Sequence, residues 1–202
     1  MNIMIFGGSF NPPHLGHQQM VKNVLEAGLT DQLWYLPVGS HDFAKKMLSS
    51  KQRLAMLQLI LPKKGEPFFD QIRIEDCEIR YFKTSYTAST LDYLSQRYPQ
   101  HQFSFLMGSD NLAKFHLWDD QLGRSYQYLL SHYPIYVYPR QNFPLTDKYQ
   151  EMILLTQFKE VVVSSTAVRE ALSAEDKKVD LSHLLDQRII SYIRNNHLYV
   201  TS

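Results

Sequence analysis

One pattern narrows the fold of this 202-residue chain more than any other. Short apolar runs at residues 3–6, 33–38, 72–79, 103–107, 135–138 and 161–163 alternate with segments of helical spacing. Several runs are apolar on successive residues, as strands are when a parallel sheet is covered on both faces. Between them, Val21, Val24, Leu25 and Gly28 recur at i, i+3, i+4 and i+7, with Gly28 placed to end that helix. Leu54, Leu57 and Leu61 stripe a second helix. Leu185, Ile189 and Ile193 stripe a last one, expected to start just after capping candidates Asp180 and Ser182. Residues 145–158 read as a peripheral helix. The alternation predicts an α/β domain with a mainly parallel sheet. Such sheets bind ligands at the carboxyl ends of their strands, beside the point where strand order reverses.

Length and composition set the outer limits. A chain of 202 residues suits one domain and buries about 70% of its extended surface on folding. With 44% hydrophobic and 20% charged residues it is not a disordered segment. Lys and Arg number 21 against 20 Asp and Glu, a formal charge of +1, which argues against a general grip on nucleic acid. Phosphate chemistry must then be local. The single cysteine, Cys77, excludes an internal disulfide and a paired-cysteine metal site; it is expected buried on the third strand, in a reducing, cytoplasmic compartment. The run at 3–6 stops at Gly7-Gly8 and reads as a strand, not a signal peptide. No run approaches the roughly 18 apolar residues of a membrane span. His41, His116 and His132 lack metal-ligand spacing, so no side-chain metal site is expected.

The first run opens into Gly7-Gly8-Ser9-Phe10-Asn11-Pro12-Pro13-His14-Leu15-Gly16-His17. Glycines directly after a buried strand allow a tight turn and close approach of a phosphate. A helix starting near Leu15 would aim its unpaired N–H groups at the same place. His14 and His17, three apart, can both face that helix end and donate to phosphate oxygens. Ser9 stands where the dinucleotide fingerprint requires its second glycine, and no GxxxxGK[ST] loop occurs. The last run leads into Ser164-Ser165-Thr166-Ala167-Val168-Arg169. Its hydroxyls can cap a helix or bind phosphate, and Arg169 on the first turn adds a fixed fork of donors.

These two segments resemble the signatures of the bacterial nicotinate mononucleotide adenylyltransferases, within the nucleotidyltransferase superfamily that shares the His-x-Gly-His motif. Ser85-Tyr86-Thr87 with Thr90-Leu91 is similar to the family's pyridine-nucleotide segment. Gly108-Ser109-Asp110 with Phe115 and Trp118 resembles its Gly-x-Asp…Phe…Trp stretch, and Tyr192-Ile193…Leu198-Tyr199 its closing helix. The likeness is collinear over nearly the whole chain. It implies a Rossmann-like α/β fold with helices on both faces, a single domain over 1–202, and a C-terminal helical subregion over 167–202.

The activity implied is transfer of the adenylyl group of ATP to nicotinate mononucleotide, without a covalent enzyme intermediate. By the resemblance, His14, His17 and Arg169 are catalytic. Gly7, Gly8, Ser9, Phe10, Gly16, Ser164, Ser165, Thr166 and Lys46 bind ATP. Ser85, Tyr86, Thr87, Gly108, Asp110 and Trp118 hold the pyridine nucleotide, with Trp118 stacking on its ring and Asp110 meeting ribose hydroxyls. Asp110 is equally suited to capping a helix that begins at Asn111. Mg²⁺ would ride mainly on substrate phosphates. No nucleic acid or membrane partner is implied, and a homo-oligomer is left open.

One segment departs from the family pattern. After the second run the family often carries a Pro-Pro-His-Lys-like loop, where this chain has Pro37-Val38-Gly39-Ser40-His41-Asp42-Phe43-Ala44-Lys45-Lys46. Lys45, Lys46, Lys51 and Arg53 read more simply as a solvated basic edge. Residues 46–51 also echo the lysine-rich loop of class I aminoacyl-tRNA synthetases. That loop follows the catalytic sheet there, and 202 residues leave no space for an anticodon-binding domain. Transfer to another phosphorylated acceptor such as phosphopantetheine is the alternative within the superfamily, and a nucleotide-sensing module the alternative outside it.

Overall fold

A computed structural model describes residues 1–39, 47–120, 122–146, 148–173 and 180–199. In chain order the elements are β1 (Asn2–Gly8), α1 (Leu15–Glu26), β2 (Gln32–Pro37), α2 (Ser50–Ile60), β3 (Ile72–Ile74), α3 (Cys77–Tyr81), α4 (Thr87–Arg97) and β4 (Gln102–Gly108). A 3₁₀ helix (Ser109–Leu117), α5 (Tyr126–His132), β5 (Ile135–Tyr138), β6 (Ile153–Leu154), α6 (Ser165–Ser173) and α7 (Gln187–Asn195) follow. The strands form one sheet in the order β3-β2-β1-β4-β5-β6, every pair parallel. This is the doubly wound order, and it reverses between β1 and β4.

Alternate side chains of each central strand enter opposite cores, which is why the runs are apolar without alternation. Met4, Phe6, Leu33 and Tyr35 pack beneath Met20, Val24, Met56, Leu57, Ile189 and Ile193 on one face. Ile3, Ile5, Trp34, Phe103 and Phe105 pack beneath Ala88, Leu91, Leu94, Phe115 and Leu129 on the other. Helices therefore cover both faces, as expected. Among the described residues no helix is long and apolar enough to cross a membrane.

Local chemistry explains the element ends. Helix α1 closes where Gly28 takes φ +64°, with Gly28 N–H donating to the Leu25 carbonyl at 3.0 Å and Leu29 N–H to Val24 at 3.2 Å. These are the two bonds of a Schellman cap, and a left-handed residue there favours glycine. Helix α2 starts in a reciprocal capping box between Ser49 and Gln52. That box accounts for Ser49 of the synthetase-like segment, while Ser50 Oγ accepts from Arg53 at 3.3 Å.

Several expectations are corrected. The run at 72–79 ends as a strand at Ile74; Glu75 N–H donates to the Tyr35 carbonyl at 2.8 Å and the chain turns into α3, so Cys77 is buried on a helix. The described residues of 145–158 form no helix but contain edge strand β6, whose Ile153 and Leu154 pair with Tyr136 and Val137. An unfilled sheet edge outweighs weak local helical spacing. With that edge taken, 161–163 is no strand: Val161 makes one isolated bridge to Arg140, and Val162 is 65% exposed. The last helix is capped by Asp186, which accepts the Arg188 N–H at 2.8 Å, while Asp180, six residues earlier, accepts the Ser182 N–H at 2.9 Å. The buried face of α2 is Arg53, Met56, Leu57 and Ile60, one residue out of step with the expected stripe of Leu54, Leu57 and Leu61.

Candidate active site

Strand register brings the signature segments to one edge. Gly8 ends β1 opposite Pro37 of β2, and Gly108 ends β4 opposite Tyr138 of β5. Since Phe6 pairs with Leu106, Gly8 and Gly108 stand level where the strand order reverses. Gly7, Gly8 and Ser9 are half-buried at this edge. Phe10 is different. At φ +47° it turns its ring into the core, 5.0 Å from the His17 ring and 5.4 Å from Tyr35, so only its backbone faces the cleft.

His14 precedes the first turn of α1 and is 1% exposed. Its N–H donates to Nδ1 of His17 at 3.0 Å, and the two rings stack with centroids 3.6 Å apart. Because His17 Nδ1 accepts that bond, its proton sits on Nε2, and a neutral His17 is a donor there. Burial, then the nearby Arg140 charge, lower the His14 pKa from 6.5 to about 3. Burial, then His14 and Arg140, hold His17 well below the usual histidine range. Both imidazoles are therefore neutral near pH 7. Nδ1 of His14 is buried without a hydrogen-bond partner among the described residues.

The start of α1 is less open than its sequence implies. Leu15 N–H already donates to the Leu184 carbonyl at 2.9 Å, and His17 N–H to the His14 carbonyl at 2.9 Å. Gly16 lets this turn approach the chain after β5, because a Cβ there would collide with Cγ1 of Val161 and lie 3.1 Å from the His14 ring.

The second signature closes on the first. Ser164 caps α6 by accepting the Ala167 N–H at 3.1 Å. Ser165 Oγ donates to the Pro12 carbonyl at 3.0 Å, and Arg169 donates to the Asn11 carbonyl at 2.8 Å and to Thr166 Oγ1 at 3.1 Å. Lys46 lies outside the described residues.

On the other side of the cleft Ser85 is half-buried and accepts the Gly39 N–H at 3.1 Å. Tyr86 precedes α4, and Thr87 is its first residue. Gly108 precedes the 3₁₀ helix, which begins at Ser109, so Asp110 lies inside its first turn and does not cap it. Asp110 Oδ1 is instead 3.8 Å from Arg140 Nε. Trp118 ends that helix edge-on to Phe105, 5.9 Å between centroids, and 5.1 Å from Phe115.

Four groups at the site escaped the sequence reading. Arg140 enters from the end of β5, donating to the Val163 carbonyl at 3.0 Å and setting the field at both histidines. Arg53 is not a solvated edge: it is 1% exposed. It donates to the carbonyls of Ser9 at 2.8 Å, Val38 at 2.7 Å and Leu48 at 3.3 Å, joining the ends of β1 and β2. Its place three and four residues before Met56 and Leu57 was the available signal. Glu78 is buried under the Ser85 segment, where Thr90 Oγ1 donates to it at 2.8 Å; burial raises its pKa against that bond. Arg124 binds Asp120 at 2.6 Å, Ser89 at 2.8 Å and Asp92, tying the chain after Trp118 to α4. No local pattern announces that cluster.

A groove of about 470 Å³, lined by Asn2, His101, Phe103 and Pro134, opens at the opposite edge of the sheet, away from the signatures.

Fold and site together define a nucleotidyltransferase-type protein, and the chain belongs to the cytidylyltransferase-like family, whose model matches residues 5–171. Within it, the chain belongs with the nicotinate-nucleotide adenylyltransferases. It is 32% identical over 206 residues to the "Probable nicotinate-nucleotide adenylyltransferase" of Flavobacterium johnsoniae, covering 98% of this chain and 99% of that protein. Identity reaches 37% over 142 residues with the protein of the same name from Cytophaga hutchinsonii, 69% of each chain. The Plasmodium falciparum nicotinic acid mononucleotide adenylyltransferase complexed with NaAD shares the fold at TM-score 0.84 and 20% identity, over 98% of this chain and 97% of that one.

Proposed function

We propose that this protein transfers the adenylyl group of ATP to nicotinate mononucleotide, forming nicotinate adenine dinucleotide in NAD biosynthesis. The observation that carries the reading is the meeting of both signature segments at the switch point, with Arg169 and Ser165 bonded to the carbonyls of Asn11 and Pro12. Relatives bearing this activity in their names match over the full length.

The mononucleotide's 5′-phosphate oxygen attacks the α-phosphorus of ATP, the bond to the β-phosphate oxygen breaks, and pyrophosphate leaves. A phosphate is already a charged nucleophile, so the protein has to align two anions and stabilise charge on the leaving group. In this reading Gly7, Gly8, Ser9, Gly16 and the backbone of Phe10 cradle ATP. Ser164, Ser165 and Thr166 stand on its phosphate side, and Lys46, outside the described residues, is assigned to ATP by the family resemblance alone. Neutral His14 and His17 donate hydrogen bonds and Arg169 supplies fixed charge. An arriving polyanion offsets the repulsion from Arg140, the last of the causes that hold both histidine pKa values down, and so moves them upward while burial still acts against them.

Ser85, Tyr86, Thr87, Gly108, Asp110 and Trp118 form the pyridine side. Carboxylate and carbonyl oxygens such as those of Asp110 suit a hard cation. Among the described residues there is no cluster of three or more candidate ligands. Mg²⁺ carried by ATP would neutralise phosphate charge, and Asp110 could meet it or a ribose hydroxyl. The lone cysteine is consistent with a cytoplasmic enzyme.

The test is pyrophosphate release by the purified protein with ATP, Mg²⁺ and either nicotinate or nicotinamide mononucleotide. Release with nicotinate mononucleotide is expected. None with either pyridine substrate would end the reading.

A further inference from the structure

We propose that Tyr199 is a positioning residue for nucleotide binding, holding Arg169 and the glycine-rich loop in register through Asn11. The inference deepens the adenylyl-transfer reading and rests on its assignment of the phosphate side.

Asn11 lies between the Gly7-Gly8 turn and His14 and is only 3% exposed. Three segments distant in sequence converge on it. The Tyr199 hydroxyl donates to Oδ1 at 2.7 Å, and Leu48 N–H, just ahead of α2, donates to the same oxygen at 3.2 Å. The main-chain carbonyl of Asn11 accepts from Arg169 Nη1 at 2.8 Å. With both lone pairs of Oδ1 engaged, the side-chain amide has one orientation, and the carbonyl that aims Arg169 belongs to the same residue.

Tyr199 is itself held firmly. Leu198 N–H donates to the Ile193 carbonyl at 3.0 Å and anchors the segment on α7. Tyr199 has φ +60°, a conformation that a bulky residue keeps only where its surroundings impose it. Burial pushes the phenol pKa up, and the charges of Arg169 and Arg53 pull against that without prevailing. The hydroxyl is therefore protonated and can only serve Asn11 as a donor. Removing it frees Asn11 Oδ1 to turn toward Leu48 alone and slackens the carbonyl that orients Arg169.

Tyr199→Phe deletes this one bond with little change in volume. Affinity for α,β-methylene ATP with Mg²⁺, measured by calorimetry, should fall about fivefold, the worth of one hydrogen bond. In the Arg169→Ala background the same change should cost less than about twofold, because the two residues act through one partner. An unchanged affinity overturns the proposal, whether or not the melting temperature falls. So does a full fivefold loss in both backgrounds, or a wild-type protein that does not bind the analogue. A wild-type protein that binds it yet releases no pyrophosphate with nicotinate mononucleotide ends the enzymatic reading alone, and the cycle still decides the role of Tyr199.

Discussion

Nδ1 of His17 accepts the main-chain N–H of His14 at 3.0 Å while the two imidazoles stack at 3.6 Å. One short contact thus sets the tautomer of His17, closes the first turn of α1 and leaves two neutral rings face to face. A doubly charged pair at that separation would repel strongly in a buried site, and after burial the neighbouring His14 is the next cause that holds the His17 pKa down. The two rings are thus uncharged near pH 7 beside the fixed charges of Arg140 and Arg169, and in the adenylyl-transfer reading they take up positive character as phosphate arrives.

If His17 Nε2 stabilises charge on the leaving pyrophosphate, His17→Ala should lower kcat about 10²–10³-fold, as loss of a preorganised donor does. KM for nicotinate mononucleotide should move by less than about threefold. Steady-state kinetics with both substrates varied reads the split. An unchanged kcat removes His17 from the chemistry.

The pH dependence of stability follows from His14. Its folded pKa, about 3, lies below the ordinary 6.5, so between those values the unfolded chain binds a proton that the folded one refuses. This contribution is complete above pH 6.5 and is lost progressively as the pH falls toward 3. Urea midpoints measured from pH 7 to 4 should drop, and drop less steeply in His14→Asn. Parallel slopes for the two proteins would contradict the assignment.

Trp118 and Arg124 give a paired prediction. Trp118→Ala should raise KM for the pyridine substrate by about tenfold if a stacking contact of 1–1.5 kcal/mol is lost. Arg124→Met breaks the bonds to Asp120, Asp92 and Ser89 that hold the chain after Trp118. It should cost about 3 kcal/mol in urea unfolding and raise the same KM. Effects confined to ATP would move Trp118 out of the pyridine side.

Arg53→Met leaves the half-buried carbonyls of Ser9 and Val38 without the donor that joins them and should destabilise the fold by about 2–4 kcal/mol. Arg53→Lys keeps the charge but lacks a fork able to reach both carbonyls, so it should recover less than half of that loss. Full recovery by lysine would show that charge alone matters there.

Much of this was legible because it is written in near neighbours. The strand runs at 3–6, 33–38, 103–107 and 135–138, the Gly28 cap and the spacing of Ile189 and Ile193 on α7 are short-range patterns that the fold repeats, whereas Leu185 is buried just before that helix. The two signature segments each carry their own turn and helix start. Where local pattern was weak, a distant partner decided. Residues 153–154 became a strand because β5 had a free edge, and Arg53 went inward because the ends of β1 and β2 present carbonyls that its guanidinium fork reaches together.

By itself the sequence determined an alternating α/β chain with glycine-rich and hydroxyl-rich loops after apolar runs, since period and turn chemistry act over a few residues. Only the tertiary structure decided that the histidines are neutral, that Arg140 faces them and that Asn11 gathers Tyr199, Leu48 and Arg169. Desolvation and hydrogen-bond convergence depend on segments up to 188 residues apart, and no local pattern encodes them.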